Sequence, residues 1–200
     1  MASMTRLAAI VALLALGACA FGPVALIALP PPPPQQAGAT SGGMTVFLRE
    51  VSVPGYLDGF PVVIGRTGSA LVVSRDTEWA ERPSLGATRV LRDALSERLG
   101  ASRVLIAGDG RIPDADLSVE FFALDPGERS LRLDARWSFS CTAGNGGRAG
   151  RTQLEVAMAG RTPEAAAVAT STALARLADV LAATQTECRP LADDLARRGR

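Results

Sequence analysis

Residues 117–158 constrain this chain more than any other stretch. Leu117, Val119, Phe121 and Ala123 recur at every second position, as do Leu131, Leu133, Ala135, Trp137, Phe139 and Cys141. Arg132, Asp134, Arg136, Ser138 and Ser140 fall between the latter, and Leu154, Val156 and Met158 repeat the pattern. Successive side chains of a strand point to opposite faces, so this spacing predicts three strands with one buried and one wet face, as in antiparallel sheets. Pro126-Gly127 and the segment 144–150, read as a long hairpin loop, connect them as a meander. A sheet with one apolar face needs a second layer to cover it.

Two helical patterns supply that layer. Leu91, Leu95 and Leu99 line one face with Val90 and Ala94 beside them; Pro83 suits the first turn and Gly100 the C-terminal cap. Thr162-Pro163-Glu164 gives an N-cap, a first-turn proline and an acid at the positive helix end. Leu174, Leu177, Ala178 and Leu181 form the apolar face that follows, and Ala165, Ala166, Ala167 and Ala169 permit close approach to the sheet. Upstream, residues 45–51, 62–64, 70–73 and 103–107 read as strands, with Thr67-Gly68-Ser69 a hairpin turn. The expectation is an α+β fold: a mainly antiparallel β-sheet with two α-helices packed on one face.

The N-terminus is of another kind. Arg6 is the only charged side chain before Cys19, an apolar run covers 7–16, and Leu16-Gly17-Ala18-Cys19 closes it. These are the parts of a secretory signal, and the run is too short to span a bilayer comfortably, which takes about 20 apolar residues. The tetrapeptide resembles the bacterial lipobox. That resemblance implies cleavage between Ala18 and Cys19 and acylation of Cys19 with several chains, palmitate among them. Ala20 follows, where an Asp would retain an enteric lipoprotein at the inner membrane, so the periplasmic face of the outer membrane is expected, with the inner membrane the alternative. Residues 19–43 read as a tether: prolines 30–34 are stiff and extended, and 35–43 are small, polar and Gly-rich. Within it, residues 24–29 are apolar, either a short strand added to the domain or a membrane-proximal patch. The expected organisation is a signal peptide (1–18), a lipidated tether (19–43), one domain (44–190) and a charged tail (191–200).

Three cysteines is an odd count. Assigning Cys19 to lipid leaves Cys141 and Cys188, which an oxidising periplasm allows to pair, the alternative being two separate thiols. Closing that loop is worth about 4 kcal/mol before strain is subtracted.

The chain has no histidine, and with all 21 basic residues arginine its net charge is only +1. Without His there is no Ser-His-Asp triad and no commonest metal ligand, and balanced charge offers no basic field for nucleic acid. No Gly-Lys-Ser/Thr follows the Gly-rich segment, and no Gly-x-Ser-x-Gly elbow occurs. Asp109, Asp114 and Asp116 miss the spacing of a calcium loop and read as turn residues. No enzyme, cofactor or metal site is expected.

One constellation remains. Tyr56-Leu57-Asp58 follows Val53-Pro54-Gly55, a strand then leads to Arg66, and Trp79 and Glu81 stand just before the first helix. This pattern resembles the ABC-type transport auxiliary lipoprotein family, which includes the paraquat-inducible protein C-type lipoproteins, most closely over 45–100. One departure stands out: Gly59-Phe60-Pro61 replaces the family's usual Arg-Pro-Gln or similar after Leu-Asp, and the segment is one residue longer. The resemblance implies partnership with a mammalian-cell-entry (MCE) domain protein and its ABC permease and ATPase, in lipid transport between two membranes, with or without homo-oligomer formation. The alternatives are a structural or assembly lipoprotein of the outer membrane, or a lipid-binding module in its own right. Tyr56, Leu57 and Trp79 are candidates for an exposed anchor toward the partner. In structural roles, Trp79 would pack under the helix start, Asp58 would cap its own turn, and Glu81 would pair with Arg66.

Overall fold

The computed structural model describes residues 22–34, 44–142 and 146–184. The segment read as a signal peptide, Cys19, residues 35–43, Cys188 and the charged tail lie outside the described residues. In chain order the elements are β1 (Ala25–Ile27), β2 (Val46–Leu48), β3 (Pro61–Thr67), β4 (Ala70–Trp79) and α1 (Pro83–Leu99). A 3-10 turn (Ala101–Arg103), β5 (Val104–Leu105), β6 (Ala115–Pro126), β7 (Ser130–Cys141), β8 (Gly147–Ala157) and α2 (Pro163–Thr184) follow. The strands form a five-stranded sheet ordered β5-β2-β6-β7-β8 and a three-stranded sheet ordered β1-β4-β3.

The alternating stretch forms the antiparallel β6-β7-β8 meander. Leu117, Val119, Phe121, Leu131, Leu133, Ala135, Trp137, Phe139 and Val156 are buried on its inner face. Val90, Leu91, Ala94 and Leu95 of α1 and Ala166, Ala169, Leu174, Leu177 and Leu181 of α2 complete the same core, and the two helices pack against each other. Arg98 fastens them: its guanidinium donates to the Asp179 carboxylate at 2.6 Å and to the carbonyls of Ala94 and Ala175. Both expected caps are present. Gly100 ends α1 at a φ of 98°, and the Thr162 hydroxyl accepts from the Ala165 N–H at the start of α2. The mainly antiparallel arrangement contains parallel pairs, β2 with both neighbours and β1 with β4. The long connection through β3, β4 and α1 carries the chain back so that β5 enters beside β2 in the same direction.

Four expectations are corrected. Ala123 does not continue the buried row. The register slips between Phe121 and Ala123, so Phe121 pairs with Ala135, Ala123 with Asp134 and Leu124 with Leu133. A bulge inverts the phase of every residue after it, placing Leu124 against the core.

The Gly-rich segment is not all loop. Gly147 and Gly150 belong to β8, where Gly150 pairs with Trp137. A Cβ on Gly150 would stand 2.4 Å from the indole Cζ2, so the missing side chain is the space the ring occupies.

Asp134 points to the outer face yet is only 2% exposed. Arg151 grips it with Nε and Nη2 at 2.7 and 2.8 Å, and the Gln153 amide donates to it at 2.8 Å. These bonds favour the carboxylate and hold its pKa below the ordinary Asp value.

Finally, the stretch read as the near half of a tether is folded, and residues 24–29 follow the added-strand alternative. β1 pairs with β4, the Ala80 N–H donates to the Ile27 carbonyl, and Leu29 is buried. Arg89 of α1 donates to the Leu29 carbonyl and Ser171 of α2 to that of Pro30, and Pro32 is buried. Gly86 makes room on α1, because a Cβ there would meet Leu29 at 3.3 Å. An apolar run flanked by stiff proline needs few side-chain contacts to lie flat on two helices, since little chain entropy is lost.

Candidate partner-docking site

The motif residues gather around the turn at 54–60, which links β2 to β3. The N–H groups of Leu57 and Asp58 both donate to the Pro54 carbonyl, closing the turn. The side chains then separate by role.

Leu57 turns inward and is 6% exposed. It lines a cavity of about 30 Å³ with Val63, Trp79, Pro83, Leu124 and Ala166. That volume suits a water or two and is far too small for an acyl chain. The Trp79 side chain is partly buried against the core, and the residue's backbone N–H donates to the Phe60 carbonyl at 2.7 Å. The anchor of Tyr56, Leu57 and Trp79 is therefore not an exposed trio: two of its members are packing residues.

Asp58 caps something other than its own turn. Its carboxylate accepts from the backbone N–H of Ser84 at 2.9 Å, in the first turn of α1. The helix's own N-cap position holds Arg82, which makes no capping bond with its side chain, so an acid 26 residues upstream does this work. The negative charge also lies at the positive end of the helix.

Glu81 and Arg66 do not pair. Glu81 receives the Arg89 guanidinium, in the cluster that holds Leu29. Arg66 donates to Asp125 of β6 at 2.9 Å and lies 5.6 Å from the Tyr56 ring centroid, with the phenol oxygen at 3.5 Å. The Asp125 carboxylate raises the Arg66 pKa above its ordinary value, chiefly through their hydrogen bond. The cation faces the electron-rich ring while the carboxylate fixes the cation, so Tyr56 is restrained although it is 48% exposed.

Phe60, half exposed on the same turn, is the residue that sequence reasoning missed. Its signal was the Gly59-Phe60-Pro61 departure itself: a bulky apolar side chain inserted at a turn that ends on proline. Asp125 carried no signal, because its partner is remote in sequence. The turn thus exposes Tyr56, with Arg66 beside it, and Phe60, while Leu57, Asp58 and Trp79 are engaged in packing and capping beneath.

A second concavity of about 400 Å³ opens between residues 47–50 and the Leu85, Thr88, Arg89 and Arg92 stripe of α1. Its arginines are already engaged: Arg49 with Asp116, Arg89 with Glu81 and Arg92 with Asp93.

Cys141, the last residue of β7, is disulfide-bonded; Cys188, Cys19 and Ala18 lie outside the described residues. Of the three acids read as turn residues, Asp109 is one, accepting from the Ile106 N–H. Asp114 instead holds the start of β2 through the N–H and hydroxyl of Thr45, and Asp116 pairs with Arg49.

Among solved structures, one uncharacterised protein superposes with a TM-score of 0.66 at 15% identity, covering 82% of this chain and 99% of its own. Protein XCC0632 from Xanthomonas campestris superposes at 0.60 with 11% identity, covering 78% of this chain and 91% of its own. At such identities the likeness concerns the fold alone. No curated protein matches the chain. Residues 27–182 match the family model of the ABC-type transport auxiliary lipoprotein component, from β1 through nearly all of α2. The chain belongs to the family of ABC-type transport auxiliary lipoprotein components.

Proposed function

We propose that this chain is a non-catalytic lipoprotein, acylated on Cys19, that docks an MCE-domain protein as part of an ABC-type lipid-transport system, with Tyr56, Phe60 and Arg66 at the docking surface. The observation that carries the docking site is the restrained, exposed Tyr56. Aromatic and arginine side chains dominate interface energetics, and an aromatic already held in place loses little entropy on binding. Family membership and the lipobox-like tetrapeptide support the transport and anchoring parts of the reading. Ala20 after the cysteine supports an outer-membrane over an inner-membrane anchor. The cavity beneath the 54–60 turn is too small to shield an acyl chain.

The test is co-purification with the cognate MCE-domain protein. Tyr56→Ala and Phe60→Ala should weaken binding by about 2 kcal/mol or more at a hot spot, roughly 30-fold, with the folded state intact. Equal binding by folded variants places docking elsewhere. No binding by the wild type removes the transport reading and leaves a structural lipoprotein.

A further inference from the structure

If Cys19 bears the lipid, the folded N-terminal segment sets how far the domain can stand from its membrane. The leash is short. Cys19 precedes Gly22, the first described residue, by three peptide units, about 11 Å at full extension. Only six units, about 20 Å, separate it from Ala25, where β1 begins.

No slack is available further on. From Ala25 the chain is held by β4, then by Ala80, Arg89 and Ser171, with Leu29 and Pro32 buried. The proline run therefore follows β1 along the domain, with Pro32 buried, and is not a spacer between membrane and domain.

The surface where this leash enters is apolar. β1 is the outermost strand of its sheet, and Leu26 is 65% and Val24 50% exposed. Leu26 lies opposite Glu78 in the parallel ladder, so a carboxylate shares its face. An ionised carboxylate resists transfer into hydrocarbon, which limits contact to headgroup depth.

We infer that the β1 edge, through Val24 and Leu26, is held against the phospholipid headgroups of the anchoring membrane, so that the domain sits on the bilayer rather than at the end of a long tether. This rests on the acylation of Cys19 and goes beyond it, because an anchored domain on a long leash would have no preferred face. The partner must then come to the membrane surface.

The test uses the full mature lipoprotein in vesicles of phosphatidylethanolamine and phosphatidylglycerol containing a headgroup-nitroxide phospholipid. A bimane probe is attached at Leu26→Cys, and separately at Ile112→Cys and Val168→Cys, two exposed apolar positions elsewhere in the fold. The probe at position 26 should lose most of its fluorescence and the other two little. Inserting about 20 Gly/Ser residues after Ala20, roughly 25 Å of coil, should relieve that quenching. Equal quenching at the three positions, or quenching that the insertion does not change, overturns the inference while leaving the anchor intact. Mass spectrometry of the same sample separates the two readings: an unmodified Cys19 overturns the anchor and the inference together.

Discussion

Gly150→Ala tests the cross-strand packing of β7 on β8. The new methyl would stand 2.4, 2.8 and 2.9 Å from Cζ2, Cε2 and Cη2 of Trp137, where ordinary contact begins near 3.4 Å. The ring cannot step aside cheaply. Trp137 is 6% exposed, its Nε1–H donates to the Thr152 hydroxyl at 2.9 Å, and Phe139 meets its ring edge-on at a centroid distance of 6.1 Å. Relief requires a separation of about 1 Å, by turning the indole off its rotamer or prising β8 from β7; overpacking of this kind costs about 1–3 kcal/mol. For a chain of this size each kcal/mol lowers Tm by roughly 2–4 °C. The assay is urea unfolding of the Cys19→Ser mature chain, as single variants and in a cycle with Trp137→Phe, whose ring lacks the three clashing atoms. Trp137→Phe alone loses the indole hydrogen bond, about 1 kcal/mol. In that background Gly150→Ala should be close to neutral, or stabilising by the roughly 0.5–1 kcal/mol that alanine gains over glycine within a strand. Additive effects would refute the reasoning, since an independent backbone effect at Gly150 predicts the same penalty with either ring.

Three further outcomes are expected. Asp58→Ala should destabilise the domain by about 0.5–2 kcal/mol in urea unfolding by uncapping α1, whereas Asp58→Asn keeps most of the cap; equal losses would point to charge rather than the hydrogen bond. Because Arg151 depresses the folded-state pKa of Asp134, this carboxylate adds stability above the ordinary Asp pKa, and that stability fades as pH falls through the lower folded-state value. Asp134→Asn should therefore flatten the acid limb of the stability–pH curve, and an unchanged limb would refute the linkage. Non-reducing peptide mapping should join Cys141 to Cys188, and reduction should cost up to about 4 kcal/mol; two alkylatable thiols in protein from the periplasm would overturn the pairing.

Local pattern alone determined the β6-β7-β8 meander, both helices and their caps, because periods of two and 3.6 and the residues that end them are properties of neighbours in the chain. The sequence also drew attention to the 54–60 turn, but not to what its residues do there. Asp58 caps a helix 26 residues on, Arg66 meets Asp125 rather than Glu81, and Glu81 meets Arg89. An ion pair or cap is decided by which donors the fold brings within about 3 Å, and a sequence holding 21 arginines and 20 acids leaves those choices open. The bulge after Phe121 and the indole over Gly150 are likewise properties of two strands together. The segment around Leu29 shows the same division most plainly. Its prolines and apolar residues specify an extended chain, and only the groove between two packed helices, with Arg89 and Ser171 turned toward it, makes that chain part of the domain. Extension is written locally in the restricted φ of proline, whereas burial needs a surface that exists only once the rest has folded.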